Sequence, residues 1–410
     1  MSKFFYLLLF FSFNCFAEDI FINKQLQAVG LQCNENKSYS KDANEEFVDS
    51  TAEDWRLINH ETPALRVISK SKRIGIWGDS HTASMDFINS AIKYWNIKPN
   101  QVGFGLIQPA LNVAGVKLPF LKSCLSGGWQ YHYAHKSISS DTVYSQSLLQ
   151  VSTDKTDSVL WLDLRSDQLK NRLKGLSFNY KSLNKDEPLQ LSVSINNSPD
   201  KLVSLNSDYS FFTISSNSLI QTVRLRLVAG DLGINYIEPI YANEPELLVD
   251  LFSTPGALAK GWSNKLSYTT FAPIRYDLVI FEYGTNEGVD PNFSTAAYRD
   301  SFVSNLSSFR HFISTPNCVL VGPPDRYGTH QGAISTYNEV HRQINIVQNK
   351  VALNYHCSHW NWQEKMGGMG SIKKWRTNTP AFAKEDLVHL TTFGYQYSGY
   401  LFGKSIPITH

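Results

Sequence analysis

Apolar residues run along this chain in two rhythms. Five short stretches are apolar without alternation: Arg73–Trp77, Val102–Ile107, Asp277–Tyr283, Cys318–Gly322 and Cys357–Trp362. Stretches of that kind suit strands buried on both faces, as in a parallel sheet covered by helices. Between some of them the period lengthens. Val340, Ile344, Val347 and Val351 recur at i, i+4, i+7 and i+11, the stripe of one helix ending before Cys357. Thr295–Ile313 is a second helical candidate and Thr82–Trp95 a third. Strand–helix–strand order predicts an open α/β sheet.

From about Leu125 to Tyr241 no helical period survives. Leu189, Leu191, Val193 and Ile195 alternate with Gln190, Ser192 and Ser194, and Val223, Leu225 and Leu227 alternate with Arg224 and Arg226. Turn clusters such as Asn196-Asn197-Ser198-Pro199 separate the runs. Short alternating strands between turn signals predict a β-sandwich or jelly roll. The expected organisation is therefore an α/β domain built from residues 71–124 and 242–410, with an all-β module of residues 125–241 inserted into it. Residues 18–70 are polar and mixed and read as an N-terminal extension.

The first 17 residues, Met1–Ala17, carry one lysine, an apolar stretch from Phe4 to Phe11 and small residues at the −3 and −1 positions before Glu18. This predicts a signal peptide, removed on export. The apolar stretch is shorter than the 18 or so residues a membrane span needs, and no later segment could serve as one. Asn14 argues against a lipid-modified Cys15, because such sites place a small residue there. Without the leader, four cysteines are left: Cys33, Cys124, Cys318 and Cys357. An even number in an exported chain predicts two disulfides. If the runs opening at Cys318 and Cys357 are neighbouring parallel strands, their sulfurs lie at the same end. The expected pairs are then Cys318–Cys357 and Cys33–Cys124. The full chain of 410 residues has a net charge of +2 and only 18% charged residues, which argues against a nucleic-acid binder driven by bulk charge. Aromatic residues reach 13%. Trp129, Trp161, Trp262 and Trp375 are candidates for a sugar-binding surface, although tryptophan is more often structural.

Most familiar catalytic signatures are missing. The sequence has no Gly-x-Ser-x-Gly elbow, His-Glu-x-x-His, Cys-x-x-Cys or phosphate-binding Gly-x-x-x-x-Gly-Lys. His132 with His135, and the cluster His356-Cys357-Ser358-His359, lack the further ligands a zinc site needs, so neither a metal nor another cofactor is expected. What remains is the end of the first predicted strand, Trp77-Gly78-Asp79-Ser80-His81-Thr82. Ligand sites in open α/β sheets lie at the carboxyl ends of the strands. A serine there, after a glycine and before a helix, would reach that crevice beside a helix N-terminus. Taken alone, the turn reads better as an N-cap, with Asp79 or Ser80 merely starting the helix Thr82–Trp95. Two other segments change the balance. The strand Asp277–Tyr283 runs into Gly284-Thr285-Asn286-Glu287, where the Asn286 amide can donate into the same crevice. Near the C-terminus, Asp386 stands three residues before His389 and can hold its Nδ1, turning Nε2 toward a nucleophile. Nucleophile, oxyanion donor and oriented base would then meet at one sheet edge.

These segments, GDSH, GTNE and DLVH in that order, resemble blocks I, III and V of the SGNH (GDSL-like) hydrolases. The resemblance implies a serine esterase on a three-layer, flavodoxin-like fold, with Ser80 as nucleophile and Asp386 and His389 completing the triad. The block II glycine is best matched by Gly256 in Ser253-Thr254-Pro255-Gly256-Ala257. The Ser80 and Gly256 amides and the Asn286 side chain would then form the oxyanion hole. The family more often carries Gly-x-Asn-Asp where this chain has Gly284-Thr285-Asn286-Glu287. GDSH, the leader, the all-β insert, Val321-Gly322-Pro323-Pro324-Asp325 and Met366-Gly367-Gly368-Met369-Gly370-Ser371 before Trp375 look like the bacterial peptidoglycan O-acetylesterases. That implies removal of acetyl from the C6 hydroxyl of N-acetylmuramic acid, a carbohydrate-module-like insert, an O-acetylated glycan as partner, and a monomer working in the periplasm without cofactor. Acetyl transfer to a glycan, esterase action on another polysaccharide such as acetylated xylan, and glycan binding without catalysis are the competing readings.

Overall fold

The computed structural model describes residues 30–35, 55–60, 72–136, 142–264, 266, 271–272, 274–313, 315, 317–328 and 336–408. The expected leader, Met1–Ala17, lies outside the described residues, as does much of the expected N-terminal extension.

All five apolar runs form parallel strands, and a sixth joins them. The order across the sheet is Ser358–Trp360, Cys318–Val321, Leu278–Glu282, Lys72–Gly78, Leu247–Ser253 and Val102–Ile107. Counted along the chain without Val102–Ile107, the order is 2-1-3-4-5, the flavodoxin-like arrangement, with Val102–Ile107 added outside it. Chain direction across the sheet reverses at Lys72–Gly78, so the crevice of such folds opens at its C-terminal end, directly before Ser80.

The sixth strand, Leu247–Ser253, is absent from the apolar pattern because Asp250 interrupts it. That carboxylate is completely buried and fully partnered. It accepts from Arg73 Nε at 3.0 and 3.1 Å, from the Leu106 amide at 2.8 Å and from the Tyr276 hydroxyl at 2.6 Å. A charge is tolerated in the middle of a sheet where donors from three neighbouring segments converge on it.

The pleat divides the sheet between two cores. Ile74, Ile76 and Ile280 face Asp86–Tyr94 and Thr392–Ser405, while Trp77, Val279 and Phe281 face Thr295–Phe312 and Tyr337–Asn354. The helical stripe lies inward as expected: Val340, Ile344, Val347 and Val351 are all buried. Thr392–Ser405 lies very close to Asp86–Tyr94. A Cβ on Gly399 would sit 2.0 Å from the Phe87 carbonyl oxygen, so only glycine allows this approach.

Among the described residues between Lys122 and Tyr241, every regular element except the short turn Ala134–Lys136 is a strand. These strands form two layers. Gln32–Glu35, Lys122–Leu125, Val159–Asp163, Thr222–Ala229, Leu189–Ile195 and Lys201–Leu205 make an antiparallel sheet. The others extend the parallel sheet itself. Leu232–Tyr241 pairs with Val102–Ile107 at Ile237 and Ile107, and Leu173–Ser182, Phe211–Ser215 and Arg56–His60 follow in order. The strand-rich part thus shares one sheet with the α/β part, and a single apolar core runs from Ile74 and Phe104 through Phe178 and Phe212 to Leu191 and Leu225. Leu189, Leu191, Val193 and Ile195 supply the inward face that their alternation predicted.

Two disulfides join Cys33 to Cys124 and Cys318 to Cys357. Both pairs are those expected. Cys318 opens its strand and Cys357 directly precedes the parallel neighbour, where Val319 faces Ser358. Among the described residues no helix is long and apolar enough to cross a membrane.

Candidate active site

Three adjacent parallel strands end together, and each is followed by one expected site residue. Lys72–Gly78 leads to Ser80, Leu247–Ser253 to Gly256, and Leu278–Glu282 to Asn286. His389 comes from the other side, on the loop just before Thr392–Ser405.

Ser80 does not cap a helix. The chain makes turns from Ser80 to Met85, and the helix begins only at Asp86, with Met85 at the cap position and no side-chain capping bond. This corrects the expected start at Thr82 and removes both the N-cap reading and the adjacent helix N-terminus. The turn is organised by Asp79, whose Oδ1 accepts from the His81 amide at 2.9 Å, an Asx turn. Gly78 is needed there. A Cβ would lie 2.2 Å from Thr82 Oγ1 and 2.5 Å from Glu282 Oε2.

Ser80 Oγ lies 3.0 Å from His389 Nε2, and His389 Nδ1 lies 2.7 Å from Asp386 Oδ2. The other oxygen, Asp386 Oδ1, accepts from the Val388 and His389 amides at 3.0 and 2.9 Å. Leu387 makes this possible by adopting a left-handed backbone, φ +51°, unusual for a branched residue. Its carbonyl accepts from the Tyr327 amide at 3.0 Å, which anchors the loop. Partial burial works against the charge on Asp386. The hydrogen bonds from the His389 ring and the two amides outweigh it, so the carboxyl titrates below its ordinary value. The His389 and Asp386 side chains are 36% and 45% exposed. The arrangement therefore lies open at the surface. A cavity of about 1030 Å³ lies instead at the opposite edge of the sheet, lined by Lys72, Leu247, Leu278, Cys318 and Ser358.

The three expected oxyanion donors sit close together, in different conditions. Asn286 Nδ2 donates to Asp79 Oδ2 at 3.2 Å and to the Ala257 carbonyl at 3.0 Å. Those bonds tie the Gly256 turn to the serine turn, and one of them must be shared for the amide to serve a third acceptor. Gly256 is exposed, adopts φ +77° and has nothing within 4 Å of a would-be Cβ, so space above it is open.

Sequence reasoning missed the layer beneath the serine. Asp79 and Glu282 are both completely buried. Glu282 Oε2 accepts from the Asp79 amide at 3.0 Å and lies 3.1 Å from Thr82 Oγ1, which is also 2.9 Å from Ser253 Oγ and shares its one hydrogen between them. One carboxyl thus binds together the ends of three strands. Burial, reinforced by the charge of Glu287, pushes Asp79 up to about 7. Burial and then the charge of Asp79 push Glu282 well above the carboxylate range. The available signal was Glu282 itself, a carboxylate inside the apolar run Asp277–Tyr283. His81 is likewise buried, its ring 5.6 Å from that of His389, and burial holds it well below the ordinary histidine value.

The raised carboxyls make stability depend on pH. A group whose pKa is higher folded than unfolded stabilises the fold when protonated. For Asp79 that contribution is full below its unfolded value, about 4, and disappears as pH rises through about 7. Thermal midpoints should fall between pH 5 and pH 8, and Asp79→Asn should flatten that slope. An equal slope in the two proteins would place the titration elsewhere.

Neither histidine pair resembles a metal centre. Among the described residues no group of three or more His, Cys, Asp or Glu side chains is placed to hold a metal ion. His132 Nε2 bonds with Ser152 Oγ, and Cys357 is in a disulfide. Of the tryptophans, Trp161, Trp262 and Trp375 are buried and Trp129 is partly buried, its indole donating to the Val159 carbonyl, so the sugar-facing expectation fails for the first three.

No protein-family model matches this chain. No curated protein sequence matches it either. Solved structures do. A peptidoglycan O-acetylesterase superposes with TM-score 0.59 and 22% identity, over 82% of this chain and 90% of that one. A lipase/acylhydrolase from Enterococcus faecalis covers 40% of this chain and 80% of its own, with TM-score 0.30 and 15% identity. An active-site mutant of a family two carbohydrate esterase from Clostridium thermocellum covers 68% and 97%, with TM-score 0.28 and 9% identity. The chain shares its fold with that first structure.

Proposed function

We propose that this protein is an exported serine esterase that removes O-acetyl groups from peptidoglycan, at the C6 hydroxyl of N-acetylmuramic acid. The observation that carries the reading is the hydrogen-bonded series Ser80–His389–Asp386 at the C-terminal edge of the sheet. The fold shared with a peptidoglycan O-acetylesterase supports the substrate class. Two disulfides and the leader-like N-terminus support export.

His389 Nε2 takes the proton from Ser80 Oγ as that oxygen forms a bond to the acetyl carbonyl carbon. The tetrahedral oxyanion is met by the Ser80 and Gly256 amides and by Asn286, which shares a hydrogen now given to Asp79 or Ala257. The carbonyl re-forms, the sugar oxygen leaves, and His389 returns the proton to it. Water then adds to the acetyl-serine with His389 again as base, releasing acetate and restoring Ser80. The chemistry needs no metal or cofactor. Asp386 holds the imidazole in the tautomer this requires. In this reading, residues 71–124 and 242–410 carry the chemistry and the strand-rich residues 125–241 form a module that extends the substrate-bearing body.

Acetate release tests the proposal. The protein should liberate acetate from O-acetylated peptidoglycan with higher kcat/KM than from acetylated xylan. Equal or better turnover of xylan would refute the substrate. Acetylated sugar accumulating in place of acetate would refute hydrolysis.

A further inference from the structure

Arg326 is a cationic side chain whose charge acts on Asp79, Asp386 and His81, and the chemistry above does not use it. It follows the motif Val321-Gly322-Pro323-Pro324-Asp325, and its backbone is held on both sides. Before it, the buried Asp325 accepts from Gln363 Nε2 at 2.9 Å and from the Ile372 amide at 3.0 Å, and the Pro324 carbonyl bonds His341 Nδ1 at 2.7 Å. After it, the Tyr327 amide donates to the Leu387 carbonyl, between Asp386 and His389. Arg326 is therefore placed by the same loop that positions the histidine. Its guanidinium carbon lies 4.1 Å over the Tyr337 ring, a stacking that fixes the plane of the fork.

Asp386 and Asp79 act on the guanidinium from a distance without pairing with it. Among the described residues no carboxylate lies at ion-pair distance from it, and its Nε is buried with no hydrogen-bond acceptor. Its charge nevertheless reaches the site: it acts on His81 and His341, and Asp79 and Asp386 act on it. Holding a partly desolvated cation without an ion pair is costly, and an anion that bonds to the guanidinium recovers part of that cost. A carboxylate matches the planar fork in two hydrogen bonds.

We propose that Arg326 selects acidic substrates by binding a carboxylate carried by the acetylated saccharide or by a peptide attached to it. The substrate class named above rests on the proposed esterase activity, and this residue would set its preference for charged over neutral esters. Arg326 would contact substrate away from the ester, so it belongs to specificity.

The test uses p-nitrophenyl acetate as a neutral reporter, so that it depends only on esterase activity. N-acetylmuramic acid, N-acetylmuramoyl dipeptide and N-acetylglucosamine are added as competing inhibitors to the full-length protein and to Arg326→Gln and Arg326→Lys. The two carboxylated compounds should inhibit the unaltered protein more strongly than neutral N-acetylglucosamine does. In Arg326→Gln the ratio of acidic to neutral inhibition constants should change by about tenfold or more, the scale of one charge-assisted hydrogen bond. Arg326→Lys should restore part of it. Stronger inhibition by the free sugar acid places the carboxylate on the saccharide, and stronger inhibition by the dipeptide places it on the peptide. An unchanged ratio in Arg326→Gln would overturn the proposal, as would a change that Lys does not partly restore. Failure of the unaltered protein to hydrolyse p-nitrophenyl acetate would instead overturn the esterase reading itself.

Discussion

Ser80→Ala should lower kcat for acetyl-ester hydrolysis by about 10⁴–10⁶-fold, the range found when a serine nucleophile is removed. The fold should not suffer. Ser80 is only partly buried, its side chain makes one hydrogen bond among the described residues, with His389, and the turn around it is held by Asp79, Glu282 and Thr82. Thermal midpoints of the two proteins should therefore agree within a few degrees, as for a surface substitution that removes no packing. Any activity left belongs to the oxyanion donors and to substrate positioning, which survive the substitution. Rates with p-nitrophenyl acetate, read beside a melting curve, separate chemistry from folding. A variant that melts normally and keeps more than about a hundredth of the rate would assign the nucleophile elsewhere, since nucleophile loss is far larger.

Asp386→Asn should cost nearly as much, for a different reason. Asp386 uses one oxygen to hold the His389 ring and the other to accept two backbone amides. Asparagine can still accept those amides with its carbonyl oxygen. It then presents its NH₂ group to Nδ1, which must become an acceptor, so the ring proton moves to Nε2. That nitrogen can no longer take the proton of Ser80. The expected loss is about 10³–10⁴ in kcat with KM little changed. Because both residues serve one step, Ser80→Ala with Asp386→Asn should be no slower than Ser80→Ala alone. Additive losses in the double variant would mean that Asp386 acts outside this hydrogen-bonded series.

The parallel strands and the loops at their ends were legible from the amino-acid sequence because burial on both faces leaves an unbroken apolar signature. Arg73–Trp77 and Asp277–Tyr283 show it, and GDSH, GTNE and DLVH sit where those strands and the last helix meet. Leu247–Ser253 was hidden because a charge in mid-strand looks like a loop until Arg73, Tyr276 and the Leu106 amide are seen to converge on it. The helix after Ser80 starts later than its apolar period suggested, because Asp79 spends its carboxylate on an Asx turn. Local propensity could not reveal that the strand-rich residues continue the parallel sheet. The pairing of Ile237 with Ile107 joins positions 130 residues apart, and alternation reports which face is buried without reporting its partner. The layer of Glu282 and Asp79 escaped for the same reason. Glu282 stands out as a carboxylate inside an apolar run, but only the strand order brings it and Asp79 together under the serine.

The central claim, that Ser80 carries the acetyl group between substrate and water, is tested most directly by trapping that intermediate. The protein is mixed with an excess of an activated acetyl ester, quenched in acid within the first turnovers and digested, and the peptide containing Ser80 is weighed. One acetyl group should be found on Ser80, and none should be found on that peptide from Ser80→Ala. Acetate release by the unaltered protein with the acetyl group on another residue, or undiminished release by Ser80→Ala, would contradict the account.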